Sequence, residues 1–126
     1  MSFFDKIFGG KEENPERKSF WKNIESGEDL AKAIEKSYTN KIAIFKHSTG
    51  CFISKTVLRN FEKEIENIDQ KIELYYLDLL AHRAVSNKIA EDLEIRHESP
   101  QLIVIENGKV VSKASHEDIS VSQITQ

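Results

Sequence analysis

The chain has 126 residues, 31% charged and 39% hydrophobic, which suits one soluble globular domain with a single core. Its net charge is −3 and no run of Lys and Arg breaks the mixture, so it lacks the electrostatic footprint of a nucleic-acid binder. No stretch approaches the ~20 apolar residues that span a bilayer, and the single cysteine, Cys51, excludes an internal disulfide, a cysteine-rich zinc cluster and a two-cysteine redox cycle within one chain.

The opening MSFFDKIFGG lacks a basic leader and a long apolar core, so the expected compartment is the cytoplasm, where a lone thiol is kept reduced or is cycled by small thiols. Phe3, Phe4, Ile7 and Phe8 share one side of an expected short helix that Gly9 and Gly10 end, and GKEENPERKS then reads as a linker. Residues 1–19 are thereby set apart from a domain spanning 20–126. The short, weakly basic character of this segment favours docking or disorder over an anchor for a partner or a membrane surface.

Phe20 to Ile24 reads as a short first strand. Ser26 is placed as an N-cap, with Asp29 three residues on, and Leu30, Ala33, Ile34 and Tyr38 repeat at helical spacing over 26–38. Ile42 to Phe45 is a short apolar run bounded by polar residues, the pattern of a strand covered on both faces. After the polar turn His47-Ser48-Thr49-Gly50, a helix is expected from Cys51 to Glu66, with Ile53, Val57, Leu58, Phe61 and Ile65 on one face. Ile72 to Leu80 reads as a second buried strand, and Val85, Ile89 and Leu93 stripe the next helix. Beyond Pro100, Leu102 to Ile105 and Lys109 to Ser112 are expected strands joined at Asn107-Gly108, a pair that suits a turn with positive φ at both central positions. A last helix is expected from Glu117 onward. This order implies an α/β fold: a mixed three-layer arrangement with parallel strands, a C-terminal hairpin and helices on both faces. In such sheets chemistry gathers beyond the C-terminal ends of the parallel strands, where Cys51 sits.

A thiol reacts as its thiolate, and the unpaired N–H groups in a helix's first turn favour an anion. Cys51 is thus the candidate nucleophile, with the N–H groups of Ile53 and Ser54 and the Ser54 hydroxyl as expected hydrogen-bond donors to it. Thr49, with Gly50, makes the turn that exposes the thiol. Lys46 and Lys55 flank the site with no acidic residue between them. His47 is a candidate to stabilise the thiolate or move a proton, although loop packing is the plainer reading. The alternative for Cys51 itself is a small buried hydrophobe. His82, His97 and His116 have no ligand-like spacing, so no metal site is expected. Trp21, Tyr75 and Tyr76 read as core residues, and Asp78 as a surface turn or a group tuning Cys51. Ser99-Pro100 is a candidate for a cis bond.

The element order, the cysteine opening a helix after the first core strand and the proline opening the hairpin resemble the thioredoxin fold. Cys51-Phe52-Ile53-Ser54 is of the Cys-x-x-Ser monothiol type. The longer string FKHSTGCFIS resembles the signature of the monothiol bacilliredoxins, the YtxJ-like family, and the segment HESPQ followed by a strand and ENGK is similar too. The likeness runs from about Trp21 to Ser115. It implies thiol–disulfide exchange in which Cys51 takes bacillithiol from a protein mixed disulfide and an external thiol resolves the adduct. It also implies no bound cofactor, with bacillithiol or another low-molecular-weight thiol as co-substrate, and proteins carrying such mixed disulfides as partners. Ser99 and Pro100 would hold the partner as a short extended strand, and Phe52 would meet it beside the thiol. The oligomeric state is left open.

One departure stands out: Phe52 occupies the place of the family's usual proline. It restores a backbone N–H and adds a bulky ring. This keeps two alternatives in view, a non-catalytic thioredoxin-like binding or adaptor module and a monothiol glutaredoxin-like iron–sulfur carrier. The carrier ranks lower, because that motif places Gly directly after the cysteine.

Overall fold

Strands and helices alternate as the apolar pattern implies. β1 (Trp21–Asn23) leads to α1 (Gly27–Lys36), β2 (Ile42–His47) to α2 (Phe52–Ile65), and β3 (Glu73–Asp78) to α3 (Arg83–Leu93). β4 (Gln101–Glu106) then turns back into β5 (Lys109–Ser115), followed by a 3-10 turn (His116–Asp118) and a short α4 (Ser122–Thr125). The computed structural model describes residues 20–68 and 72–125. The helix expected around Phe3 to Phe8 and the linker after it lie outside these residues.

The sheet order is β1-β3-β2-β4-β5. β1, β3 and β2 are parallel, whereas β4 pairs antiparallel with β2 and β5 antiparallel with β4. β2 is central and every one of its residues is buried. Because successive strand side chains leave opposite faces, it feeds two cores. Ala43 and Phe45 pack with Trp21, Val57, Phe61 and Val104 under α2. Ile42 and Ile44 pack with Leu30, Ala33, Val85, Ile89 and Ile103 under α1 and α3. Each large side chain buried in this way contributes roughly 1.5–3 kcal/mol.

Local chemistry agrees with these placements. At the start of α1 the Ser26 hydroxyl accepts the Asp29 N–H at 3.1 Å, and the Asp29 carboxylate accepts the Glu25 N–H at 3.0 Å. At the hairpin tip, φ is 56° at Asn107 and 77° at Gly108. The positive φ is what requires glycine at 108; a Cβ there would also press on the ring end of the exposed Tyr38. The tip is tied to the end of α1: the Asn107 N–H donates to the Ser37 carbonyl at 2.8 Å and the Gly108 N–H to the Ser37 hydroxyl at 2.9 Å.

The C-terminal expectation needs correction. β5 runs on to Ser115, and the helix expected from Glu117 is replaced by the 3-10 turn and one α turn. Val110 and Ala114 pack against opposite cores of the sheet, because the β4–β5 pairing shifts register between Val104 and Ile105. Beyond them, Ile119 and Ile124 are anchored as single residues, not as a helical stripe. Among the described residues, no helix is long and apolar enough to cross a membrane.

Candidate active site

The thiol-bearing turn leaves the sheet at the C-terminal end of β2. There His47 pairs with Asp78 on β3 and Lys46 with Gln101 on β4. The turn closes with the Cys51 N–H donating to the Ser48 carbonyl at 3.1 Å. Gly50 lies at its exposed tip, close to the side chain of Leu80. Cys51 is the N-cap of α2, extended at φ −109° and ψ 123°, and its carbonyl accepts the Lys55 N–H at 3.0 Å. The thiol is half-buried. No acidic side chain occupies the first turn of α2, so its positive pole is not neutralised where the sulfur sits.

The expected hydrogen bonds to the thiol are not made. Cys51 forms no side-chain cap with the N–H groups of Ile53 or Ser54, in keeping with the weak acceptor strength of a neutral thiol. The Ser54 hydroxyl turns the other way. It is fully buried, accepts the Ser48 N–H at 3.1 Å and lies 2.8 Å from His47 Nδ1. The physical reason is the strand end: Ser48 leaves the ladder with an N–H that needs a partner inside the fold. His47 is buried as well, its ring 5.7 Å from that of Tyr76 and 6.4 Å from that of Phe45. His47, Ser54 and Ser48 therefore form a brace beneath the turn. Thr49 is half-buried within it.

Lys46 points through the opposite face of the sheet. Its Nζ lies 3.0 Å from His97 Nδ1 and 3.4 Å from the Ser86 carbonyl. It is wholly buried, and among the described residues no carboxylate bonds it. Burial, reinforced by the Arg83 charge, lowers its pKa from 10.5 to about 8. That change corresponds to ~3 kcal/mol of buried-charge cost at neutral pH, of which the two hydrogen bonds return about 1 kcal/mol. Lys46→Met is thus expected to stabilise the fold by about 2 kcal/mol at pH 7. The folded chain releases this proton near pH 8 and the unfolded chain near 10.5. Between those values the unfolded state binds more protons, so the wild type gains stability with rising pH and the variant's advantage fades. Urea melts at pH 7 and pH 10 measure this; an equal gap at both would refute the assignment.

The rim of the site is apolar and open. Phe52 is 79% exposed, Ile53 50% and Leu80 57%. Phe52, Ile53, Val57 and Ile119, with the polar Thr56, Asn60 and Glu117, line a groove of about 230 Å³ along α2. The backbone of Cys51 already has the extended form that a residue before proline adopts. Phe52→Pro should therefore fold normally and gain up to about 1 kcal/mol from the stiffened unfolded chain. A thermal melt of this variant checks that, and a loss of stability would mean that the Phe52 ring packs on the domain.

Ser99–Pro100 is a cis bond. Pro100 is buried, and its carbonyl accepts the His116 N–H at 3.1 Å. Since Gln101 pairs with Lys46, this loop reaches the same end of the sheet as the Cys51 turn. The Gln101 amide, itself buried, donates to the Arg96 carbonyl at 3.0 Å and accepts the Glu98 N–H at 3.4 Å. Neither this role of Gln101 nor the Lys46–His97 contact was expected from the sequence. The available signal was a polar residue at the head of an otherwise apolar strand. Asp78 proves to be a turn residue, its carboxylate accepting the N–H groups of Leu80 and Ala81. Among the described residues, no three His, Cys, Asp or Glu are grouped to hold a metal ion.

The sequence matches the family described as Monothiol bacilliredoxin BrxC over residues 22–124. A solved structure described as having a thioredoxin fold is 28% identical, with a TM-score of 0.70, over 87% of this chain and 97% of that one. Malassezia sympodialis thioredoxin, at 21% identity and a TM-score of 0.65, is covered over 94% of its length by 91% of this chain. Fasciola hepatica thioredoxin, at 19% identity and a TM-score of 0.59, is covered over 86% by 75% of this chain. These last two likenesses concern the fold.

Proposed function

The chain belongs to the monothiol bacilliredoxin family, and we propose that it removes bacillithiol from protein mixed disulfides through Cys51 alone. The coarser statement, a thioredoxin-fold protein of thiol-redox type, follows from family and fold. The observation that carries the finer one is the site itself. The only thiol stands half-exposed at the open end of α2, and the residue three places on, Ser54, is committed to His47 and Ser48.

In the proposed reaction the Cys51 sulfur attacks the bacillithiol sulfur of the mixed disulfide. A Cys51–bacillithiol disulfide forms, the protein–bacillithiol bond breaks, and the protein leaves as a thiolate that takes up a proton. A second small thiol then attacks the adduct at the bacillithiol sulfur. It releases Cys51 and departs as a disulfide with bacillithiol. The partners are thus proteins carrying such mixed disulfides, in a reducing compartment, the cytoplasm. Thr49, Ile53 and Ser54 shape the turn that presents the sulfur. Ser99, Pro100 and Phe52 would meet the incoming chain.

The test is intact-mass spectrometry of the reduced chain mixed with a bacillithiolated protein and, separately, with a glutathionylated one. Gain of bacillithiol by this chain with matching loss from the substrate supports the proposal. Gain of glutathione alone would move the assignment to a glutaredoxin-like protein. Gain from neither leaves the adaptor reading, which the exposed Phe52 ring favours.

A further inference from the structure

The exchange chemistry leaves one buried polar cluster without a task. The loop from Glu94 to Pro100 is fastened internally by the Gln101 amide, to Arg96 and Glu98. It is fastened to the rest of the domain at both ends and between them: the Ile95 N–H donates to the Ala90 carbonyl at 3.1 Å, the Pro100 carbonyl accepts the His116 N–H at 3.1 Å, and between these His97 reaches β2 and α3 through its side chain. The Nδ1 of His97 lies 3.0 Å from Lys46 Nζ and 3.4 Å from the Ser86 hydroxyl. An ammonium offers only hydrogens, so Nδ1 must accept and the ring must be neutral, with its proton on Nε2. A wholly buried lysine with no carboxylate bonded to it among the described residues is an expensive way to fill a core position. Rules of this kind are broken chiefly where function requires it.

We propose that Lys46 and His97 are positioning residues for the exchange reaction: the Lys46 ammonium holds neutral His97 and so sets the Ser99–Pro100 loop relative to the Cys51 turn. The two parts are linked through one strand, because β2 carries Lys46 and runs directly into that turn. The inference rests on the reading of the site as an exchange centre and adds a determinant of protein-substrate recognition to it. It also gives the site a pH dependence. Protonating His97 removes the acceptor and sets two cations face to face. The groups facing His97 are Lys46 from β2, Arg83 from α3 and Glu98 from its own loop. Burial first, then the charges of Lys46 and Arg83, hold His97 below the usual histidine range. The loop is therefore fastened at neutral pH and released in acid.

The direct test is the imidazole nitrogen NMR spectrum of the full chain. His97 is expected as the Nε2–H tautomer, and an Nδ1–H tautomer would overturn the proposal whatever the activity. The functional test compares two reactions of Cys51, one with a small aromatic disulfide that needs no loop and one with a protein mixed disulfide. His97→Leu and Lys46→Met should slow the protein reaction about tenfold, the effect of one hydrogen bond to a charged group. His97→Leu should leave the small-disulfide rate within about twofold, and His97→Gln, whose Oε1 still accepts from Lys46, should restore the protein reaction to within about threefold. In the wild type the ratio of protein to small-disulfide rate should fall in acid, and in His97→Gln it should be flat. Equal slowing of both reactions by His97→Leu, or a wild-type ratio that ignores pH, refutes the pair. Should the wild type accept no small thiol from any protein, the functional proposal fails separately. The pair is then decided by amide hydrogen exchange at Glu98 and His116, faster in His97→Leu and unchanged in His97→Gln; unchanged exchange in His97→Leu counts against it.

Discussion

Cys51→Ser should accept no small thiol from any mixed disulfide and should fold more stably than the wild type. The first half follows from the composition, since no other thiol exists in the chain. The second follows from the cap. At the head of α1, Ser26 satisfies the Asp29 N–H. At the head of α2, Cys51 has the same extended cap conformation but makes no such bond. A serine hydroxyl there can take the N–H of Ser54, for a gain of about 0.5–1 kcal/mol and a few degrees in melting temperature. Thermal melts beside the mass assay measure both halves. A variant less stable than the wild type would mean that the thiol is held by packing, as an inert buried cysteine would be. A more stable, inactive one shows that this position gives up stability for reactivity.

Ser54→Ala carries the largest expected loss of stability, about 2–4 kcal/mol. The methyl side chain would leave the Ser48 N–H and His47 Nδ1 without the hydroxyl that now meets both in a buried setting. Against a total stability of roughly 5–15 kcal/mol, that is a substantial share. Urea titration gives the value, and an unchanged dependence on urea would show that the unfolded state is not the cause. A loss under about 1 kcal/mol would mean that water replaces the hydroxyl and that the brace does not hold the turn. The same variant should slow exchange at Cys51, because the loosened segment is the one that presents the sulfur.

Much of this architecture was legible in the residues. The apolar runs marked the strands, and Asn107-Gly108 marked the hairpin by its need for positive φ. The cysteine was expected at a strand-to-helix handover, and Cys51 is the N-cap of the helix that follows β2. What was not legible is where polar side chains turn. Ser54 stands three residues after Cys51, so local spacing pointed it at the thiol, yet the unpaired Ser48 N–H beneath it competes and wins. Lys46 is close to Cys51 in sequence, but strand alternation sends it with Ile42 and Ile44 through the far face. His97 was weighed only as a metal ligand, because its partner lies 51 residues away on β2. Glu62 is an acidic residue buried on α2, and one of the groups that meets it there is the Trp21 indole N–H, 2.7 Å from its carboxylate and 41 residues away in sequence.

The alternation along β2 has a consequence for how the chain can fail. Lys46 and His47 are neighbours that serve opposite sides of the sheet. A slip of one residue in the pairing of β2 would exchange their directions, putting the ammonium under α2 and the imidazole toward α3. Ser54, Ser48 and His97 would lose their partners in the same event, and the apolar set of each core would be swapped with the other. No half-formed centre lies between the two registers. Thiol-exchange activity in a refolded sample should therefore count the molecules whose central strand has paired correctly, and mispaired molecules should contribute nothing to it.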